Sequence, residues 1–233
     1  HLDDRGLCRI IKNVGEEFLC EICREHPRFY NDTSRGKEVG IGASCEEAAK
    51  IILSSDSYND MVLVCEVQGE AVEGFDALPF RERIFSILSD GTLKYAEKIQ
   101  SIYSLSGVNP SVIRDEEWRG IIESLEYLDE NHKRLFTRYS SDVKTDEMVE
   151  KYLLRATTYF VYRHCAEACD EDDLRRSVGF CLFCQQLFAS VLEQEGCESL
   201  EEASRILRIL SEELEYSEDN TEKIKMQFLH LDE

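Results

Sequence analysis

The sequence predicts a mainly α-helical protein, in which an irregular cysteine-rich N-terminal segment packs on a multi-helix bundle. Three observations predict it. From about residue 80 onward apolar residues recur at helical spacing through nearly every segment. The joins between those segments are short and acidic, as in Asp170-Glu171-Asp172-Asp173, which suits solvent-facing turns and favourable helix starts. The chain has 42% hydrophobic residues with only three prolines and twelve glycines, enough apolar surface for a core and too few breakers for a disordered chain. We therefore expect a cysteine-rich segment over residues 1–75 and a helical bundle over 76–233.

Along the first segment, Asp3-Asp4-Arg5-Gly6 reads as a turn. Gly15 to Arg24 predicts a short helix that stops before Pro27, because the residue before a proline disfavours the helical region. That helix would set Cys20 and Cys23 on one face at i,i+3. Gly36 to Gly42 is a flexible or extended connection. Ser44 and Glu47 have the spacing of a capping box, which predicts a helix from Cys45 to Ser54 or Ser55. Met61 to Val67, rich in β-branched residues, predicts a strand or a buried extended piece. In the second part, Pro79 sits where a first-turn proline belongs and Phe80 to Leu88 continues as helix. Further helices are expected at 92–105, 115–132, 146–168, 172–194, 200–215 and 220–231. In two of them an inward stripe is visible: Tyr152, Ala156, Tyr159, Phe160 and Arg163, then Phe180, Phe183, Cys184, Leu187 and Val191.

The 48 acidic against 27 basic residues give a net charge of -21, which repels nucleic-acid phosphates and anionic lipid at long range. Neither is expected as a general partner, and no apolar run is long enough for stable membrane insertion. Ten cysteines without the density of a disulfide-stapled module favour a reducing, cytoplasmic setting. Among them Cys8, Cys20, Cys23 and Cys45 crowd the first 45 residues, in a stretch too polar to build its own core. Three readings stand open for these thiols: a metal or cluster site, small core residues, or a dithiol redox pair at Cys20 and Cys23. Cys181 and Cys184 lie in a strongly apolar segment and read as core. The chain opens at His1, seven residues before its first cysteine, and reads as if cut into such a site.

The segment Leu2-Asp3-Asp4-Arg5-Gly6-Leu7-Cys8-Arg9-Ile10 resembles part of the flagellin lysine-N-methylase family, within a broader cysteine-rich group described as zinc- or iron-chelating. The resemblance continues through Gly15–Cys20, Cys23-Arg24-Glu25-His26-Pro27-Arg28 and Ser44–Ala49, and a second signature stands at Ser211–Asn220. The family has a proline after the cysteine matched by Cys45, where this chain has Glu46. What the resemblance implies is methyl transfer from S-adenosylmethionine to lysine side chains of flagellin. It also implies an iron–sulfur cluster or zinc on Cys8, Cys20, Cys23 and Cys45, with further ligands upstream.

Methyl transfer needs a neutral lysine amine and a stabilised sulfonium. On that activity Glu215 and Asn220 are the candidate catalytic, amine-orienting groups. Tyr30 and Tyr216 are candidate aromatic faces for the donor's cation, and Arg28 a candidate clamp for its carboxylate. The plainer reading makes Glu215 a solvated helix-end acid and Asn220 a helix cap. The alternative function is a metal-binding structural or protein-interaction module without methyl transfer.

Overall fold

The computed structural model describes residues 2–64 and 74–229, and the described residues are mainly α-helical. A pair of short helices, α1 (Arg9–Val14) and α2 (Glu21–Glu25), precedes a hairpin of β1 (Arg28–Thr33) and β2 (Gly36–Ile41). The strands pair antiparallel with Arg28 opposite Ile41 and Thr33 opposite Gly36. Helix α3 (Glu46–Ser54) follows, then α4 (Leu78–Ser89), α5 (Tyr95–Ser106), α6 (Asp115–Glu123), α7 (Glu130–Phe136), α8 (Glu147–His164), α9 (Glu171–Glu195), α10 (Leu200–Leu210) and α11 (Glu218–Lys225). A π-turn over Ser211–Glu215 continues α10.

Helix α9 is the axis of the fold. Asp170 caps it, accepting a hydrogen bond from the Asp173 amide at 2.7 Å, and Gly196 ends it in the left-handed region. Phe180, Phe183, Cys184, Leu187 and Val191 are all fully buried. Helix α8 packs along α9, with Asp146 as its cap, and α3 packs against both α8 and α10. On the far side Trp118 of α6 stacks on Phe183 at 4.2 Å, and its indole N–H donates to the Pro110 carbonyl at 2.9 Å. Gly179 lets this layer close, since a Cβ there would stand 2.4 Å from the Phe228 ring.

Two buried cations fasten the periphery. Arg81 of α4 is 1% exposed and grips Glu38 of β2 through two bonds of 2.7 and 2.6 Å. Its guanidinium lies against Phe85 and Tyr162, so the hairpin is tied to α4 and α8 together. Lys98 of α5 turns its ammonium onto the carbonyls of Ile87, Leu88 and Asp90, the open C-terminal end of α4.

Several expectations need correction. The stretch 15–24 is not one helix: a 3₁₀ turn at Glu16–Phe18 is separated from α2 by extended Leu19 and Cys20. Of the two readings of Gly36 to Gly42 the extended one holds, with residues Gly36–Ile41 forming a paired strand. The Ser44–Glu47 capping box is not made. Helix α3 starts one residue later, with Cys45 in the cap position, and the Ser44 hydroxyl is buried without a hydrogen-bond partner. Residues 61–64 are exposed and form no strand; the rest of that expected strand, with Cys65, lies outside the described residues. The expected helix 115–132 breaks into α6 and α7, for a tertiary reason given below. The end of the expected last helix, beyond 229, is also outside the described residues. The cysteine-rich front does not stand out as a module distinct from the bundle, because α3 belongs to the bundle packing.

Candidate functional site

The segment 211–220 organises two buried polar clusters, one on each side of the π-turn. The first centres on Glu215, whose side chain has no solvent exposure. The Tyr159 hydroxyl donates to its Oε2 at 2.8 Å, and His164 Nε2 lies 2.6 Å from its Oε1. Arg163 Nε stands 3.5 Å from the same carboxylate. These three groups come from the last turns of α8, where Tyr159 and Arg163 share a face four residues apart. The Tyr159 oxygen also accepts from the Ala43 amide at 3.0 Å and from Arg163 Nη1 at 2.8 Å. Arg163 is sandwiched between the rings of Phe29, 5.0 Å away, and Tyr216, 4.9 Å away. Gly42 permits the approach of the hairpin end: a Cβ there would meet Tyr216 Oη at 2.7 Å and Arg163 Nη1 at 3.0 Å.

The electrostatics follow from that geometry. Burial works against ionising Glu215, but the Arg163 charge and the His164 hydrogen bond outweigh it and hold its pKa down at about 2. Burial also lowers the His164 pKa, against the pull of Glu215, so His164 is a neutral N–H donor. Burial works against the Arg163 charge, but Glu215 together with Tyr159 and Tyr216 outweighs it, so Arg163 keeps its charge. The cluster is a satisfied ion pair rather than a poised acid or base.

In the second cluster Glu213, 1% exposed, accepts from the Leu128 and Asp129 amides at 2.8 and 3.3 Å and lies 2.5 Å from His132 Nδ1. Asn220 is equally buried. Its amide donates to the carbonyls of Glu126 and Glu213, both at 2.7 Å, and accepts from the Glu126 amide at 2.9 Å. These bonds capture the backbone at 126–129 and explain the break between α6 and α7. A groove of about 280 Å³ between the clusters is lined by Glu126, Tyr127, Glu212, Glu213 and Tyr216. Its acids suit a cation in type, but Glu213 is spent on backbone amides and Glu212 pairs with Arg208.

The other candidate residues lie apart from Glu215 or are already engaged. Arg28 donates to the Arg24 carbonyl at 2.9 Å, and the Tyr30 hydroxyl donates to Glu25 at 2.5 Å. Tyr30 faces the Lys37 ammonium and Tyr216 faces Arg163, so each ring already meets a cation of the chain. Cys20 and Cys23 are exposed, Cys8 and Cys45 partly so, and all four are free thiols. The Cys23 amide, followed by its thiol, lowers the Cys20 pKa. The Cys20 thiol, followed by its charge, raises that of Cys23, to which Cys8 adds a smaller repulsion.

The expected cluster or zinc site is not formed. Among the described residues no group of three or more histidine, cysteine, aspartate or glutamate side chains could hold a metal ion. Cys8 is near enough to Cys23 to be felt electrostatically, which reaches well beyond coordination distance. The resemblance to flagellin lysine-N-methylases is overturned with it, and so is the enzyme reading. The described residues carry a two-stranded antiparallel sheet and no parallel sheet whose strand ends would seat S-adenosylmethionine in the manner of the doubly wound methyl-transfer enzymes. Methyltransferase, iron–sulfur and metal-binding assignments are therefore not carried forward, and flagellin as partner rested on the same resemblance.

Residue patterns did not single out Glu213, His132, His164 or the functional pairing of Tyr159 with Arg163. A usable signal was present for one pair. An Arg163-His164 doublet closing an inward stripe must find an acid if it is buried. No protein-family model, no curated protein and no solved structure matches the chain.

Proposed function

We propose that the chain is a protein-interaction module without methyl-transfer activity, and that its contact surface is the stretch from Leu2 to Glu25. One observation carries this reading. No side chain in that stretch is buried, although it contains Leu7, Ile11, Val14, Phe18 and Ile22, each more than half exposed. Apolar side chains left uncovered on ordered turns mark a contact surface. In this reading Leu2 to Glu25 is the partner-facing stretch, and the hairpin and α3 join it to the bundle. Buried Asn31, Thr33, Ala49 and Leu53 anchor the segment, while α1 and α2 stay outside the core. A reducing, cytoplasmic setting fits ten cysteines without the density of a disulfide-stapled module.

The partner's chemistry follows from charge. Residues 1–28 hold six acids and five bases, so nearly all the excess of -21 lies in the rest of the chain. A partner that is apolar at the contact and basic around it is drawn in by the flanking field, whereas an acidic one is repelled. Titration calorimetry with two amphipathic helical peptides of identical apolar face, one basic and one acidic, tests this. The basic peptide should bind, more weakly as salt rises, and Phe18→Ser with Ile22→Ser should weaken it by about tenfold or more. Equal binding of both peptides, or no effect of the two substitutions, defeats the proposal.

A further inference from the structure

We propose that Cys20 and Cys23 form a thiol–disulfide exchange site that reacts with disulfides of low-molecular-weight thiols and cycles between a dithiol and an internal disulfide. The inference stands apart from the interaction reading and does not need it. Both thiols are exposed and free, so a small disulfide reaches them from solvent. Cys20 is the residue before α2 and Cys23 its third residue, so the two thiols stand at the cap position and in the first turn of one short helix.

Closure demands a small local movement. Side chains at i,i+3 on a helix have Cβ atoms about 5–6 Å apart, and a disulfide needs about 3.8 Å. Cys20 lies outside the helix with extended backbone, φ -64° and ψ 159°, and α2 is five residues long without a buried side chain. Drawing the two sulfurs together therefore disturbs no core packing. The contrast within the molecule is Cys165 and Cys181. Their sulfurs are 3.8 Å apart, but both are buried and screened from any dissolved oxidant.

The electron balance is complete with the small disulfide as oxidant. The Cys20 thiolate attacks one of its sulfurs, forming a mixed disulfide and releasing one thiolate, which takes up the proton Cys20 lost. The Cys23 thiolate then attacks Cys20 Sγ, forming the internal S–S bond and releasing the second thiolate, protonated in turn. Two electrons pass from the cysteine pair to the small disulfide, and two small thiols result.

The experiment equilibrates the full chain, without oxygen and with chelator present, in glutathione buffers from fully reduced to fully oxidised. Samples are acid-quenched, alkylated and mapped by peptide mass spectrometry. The expected result is loss of both labels from Cys20 and Cys23, with two hydrogens missing and no glutathione attached. Cys8 and Cys45 should keep their labels, and return to reduced buffer should restore the dithiol. Cys23→Ser, checked for native circular dichroism, should stop at a glutathione adduct on Cys20 that the unsubstituted chain shows only in trace. Retained labels across the whole series overturn the proposal. So does glutathione addition without the internal bond in the unsubstituted chain, or a disulfide from either thiol to Cys8.

Discussion

At Glu215 a carboxylate with no solvent exposure stays ionised because Arg163 and His164 face it. Removing only one partner strands the other charge inside the protein. Glu215→Gln should therefore destabilise the fold by about 3–5 kcal/mol, read from urea midpoints at pH 7, and replacing Glu215 and Arg163 together by apolar residues should recover much of that loss. The acid limb of stability carries the same signature. His164 has its folded pKa below the ordinary 6.5, so the unfolded chain binds the extra proton first. Its contribution is full above about pH 6.5 and declines as pH falls below that. Glu215, held at about 2 instead of 4.5, keeps its contribution above about pH 4.5 and loses it between there and pH 2. Urea titrations from pH 8 to 3 should show both declines. His164→Gln keeps an N–H donor that cannot titrate and should flatten the upper one; an unchanged profile would count against a neutral His164.

The elements are held by side chains that replace missing backbone partners. Asn220 serves Glu126 and Glu213 from α11, and its loss leaves part-buried amide and carbonyl groups unpaired. Asn220→Ala should cost about 1–3 kcal/mol for each group left without a partner, seen as a lower urea midpoint. Protection from hydrogen exchange near 126–129 should fall most. The outer elements should behave differently from the axis. Amides of α1 and α2, which bury no side chain, should exchange through local opening, whereas those of α9 should exchange only on global unfolding. Equal protection of the two regions would show that the front is part of the cooperative unit.

For the whole molecule the governing quantity is the net charge of -21. Self-repulsion of that size opposes compaction and is screened over about 10 Å at 0.1 M salt. Melting temperature should therefore rise between very low salt and about 0.2 M sodium chloride, before any ion-specific effect enters. A flat response would mean that local pairs such as Arg81–Glu38 cancel the global field. The acidity also frames the interaction reading, because the stretch from Leu2 to Glu25, which leaves its apolar side chains uncovered, is itself near-neutral.

The helical class, the stripes on α8 and α9 and the burial of Cys181 and Cys184 were legible in the chain, because periodicity, caps and breakers act over a few residues. The sequence alone located the helix starts at Pro79 and Asp146 and the acidic join at Asp170–Asp173 that opens α9. Tertiary structure alone decided that Glu215 is a buried ion-pair partner, that Asn220 staples a break and that the front thiols do not assemble a metal site. The first two outcomes join residues about 50 or more positions apart, Glu215 with His164 and Asn220 with Glu126. Their energies depend on which helix ends pack together, and no local pattern of residue types encodes that distance.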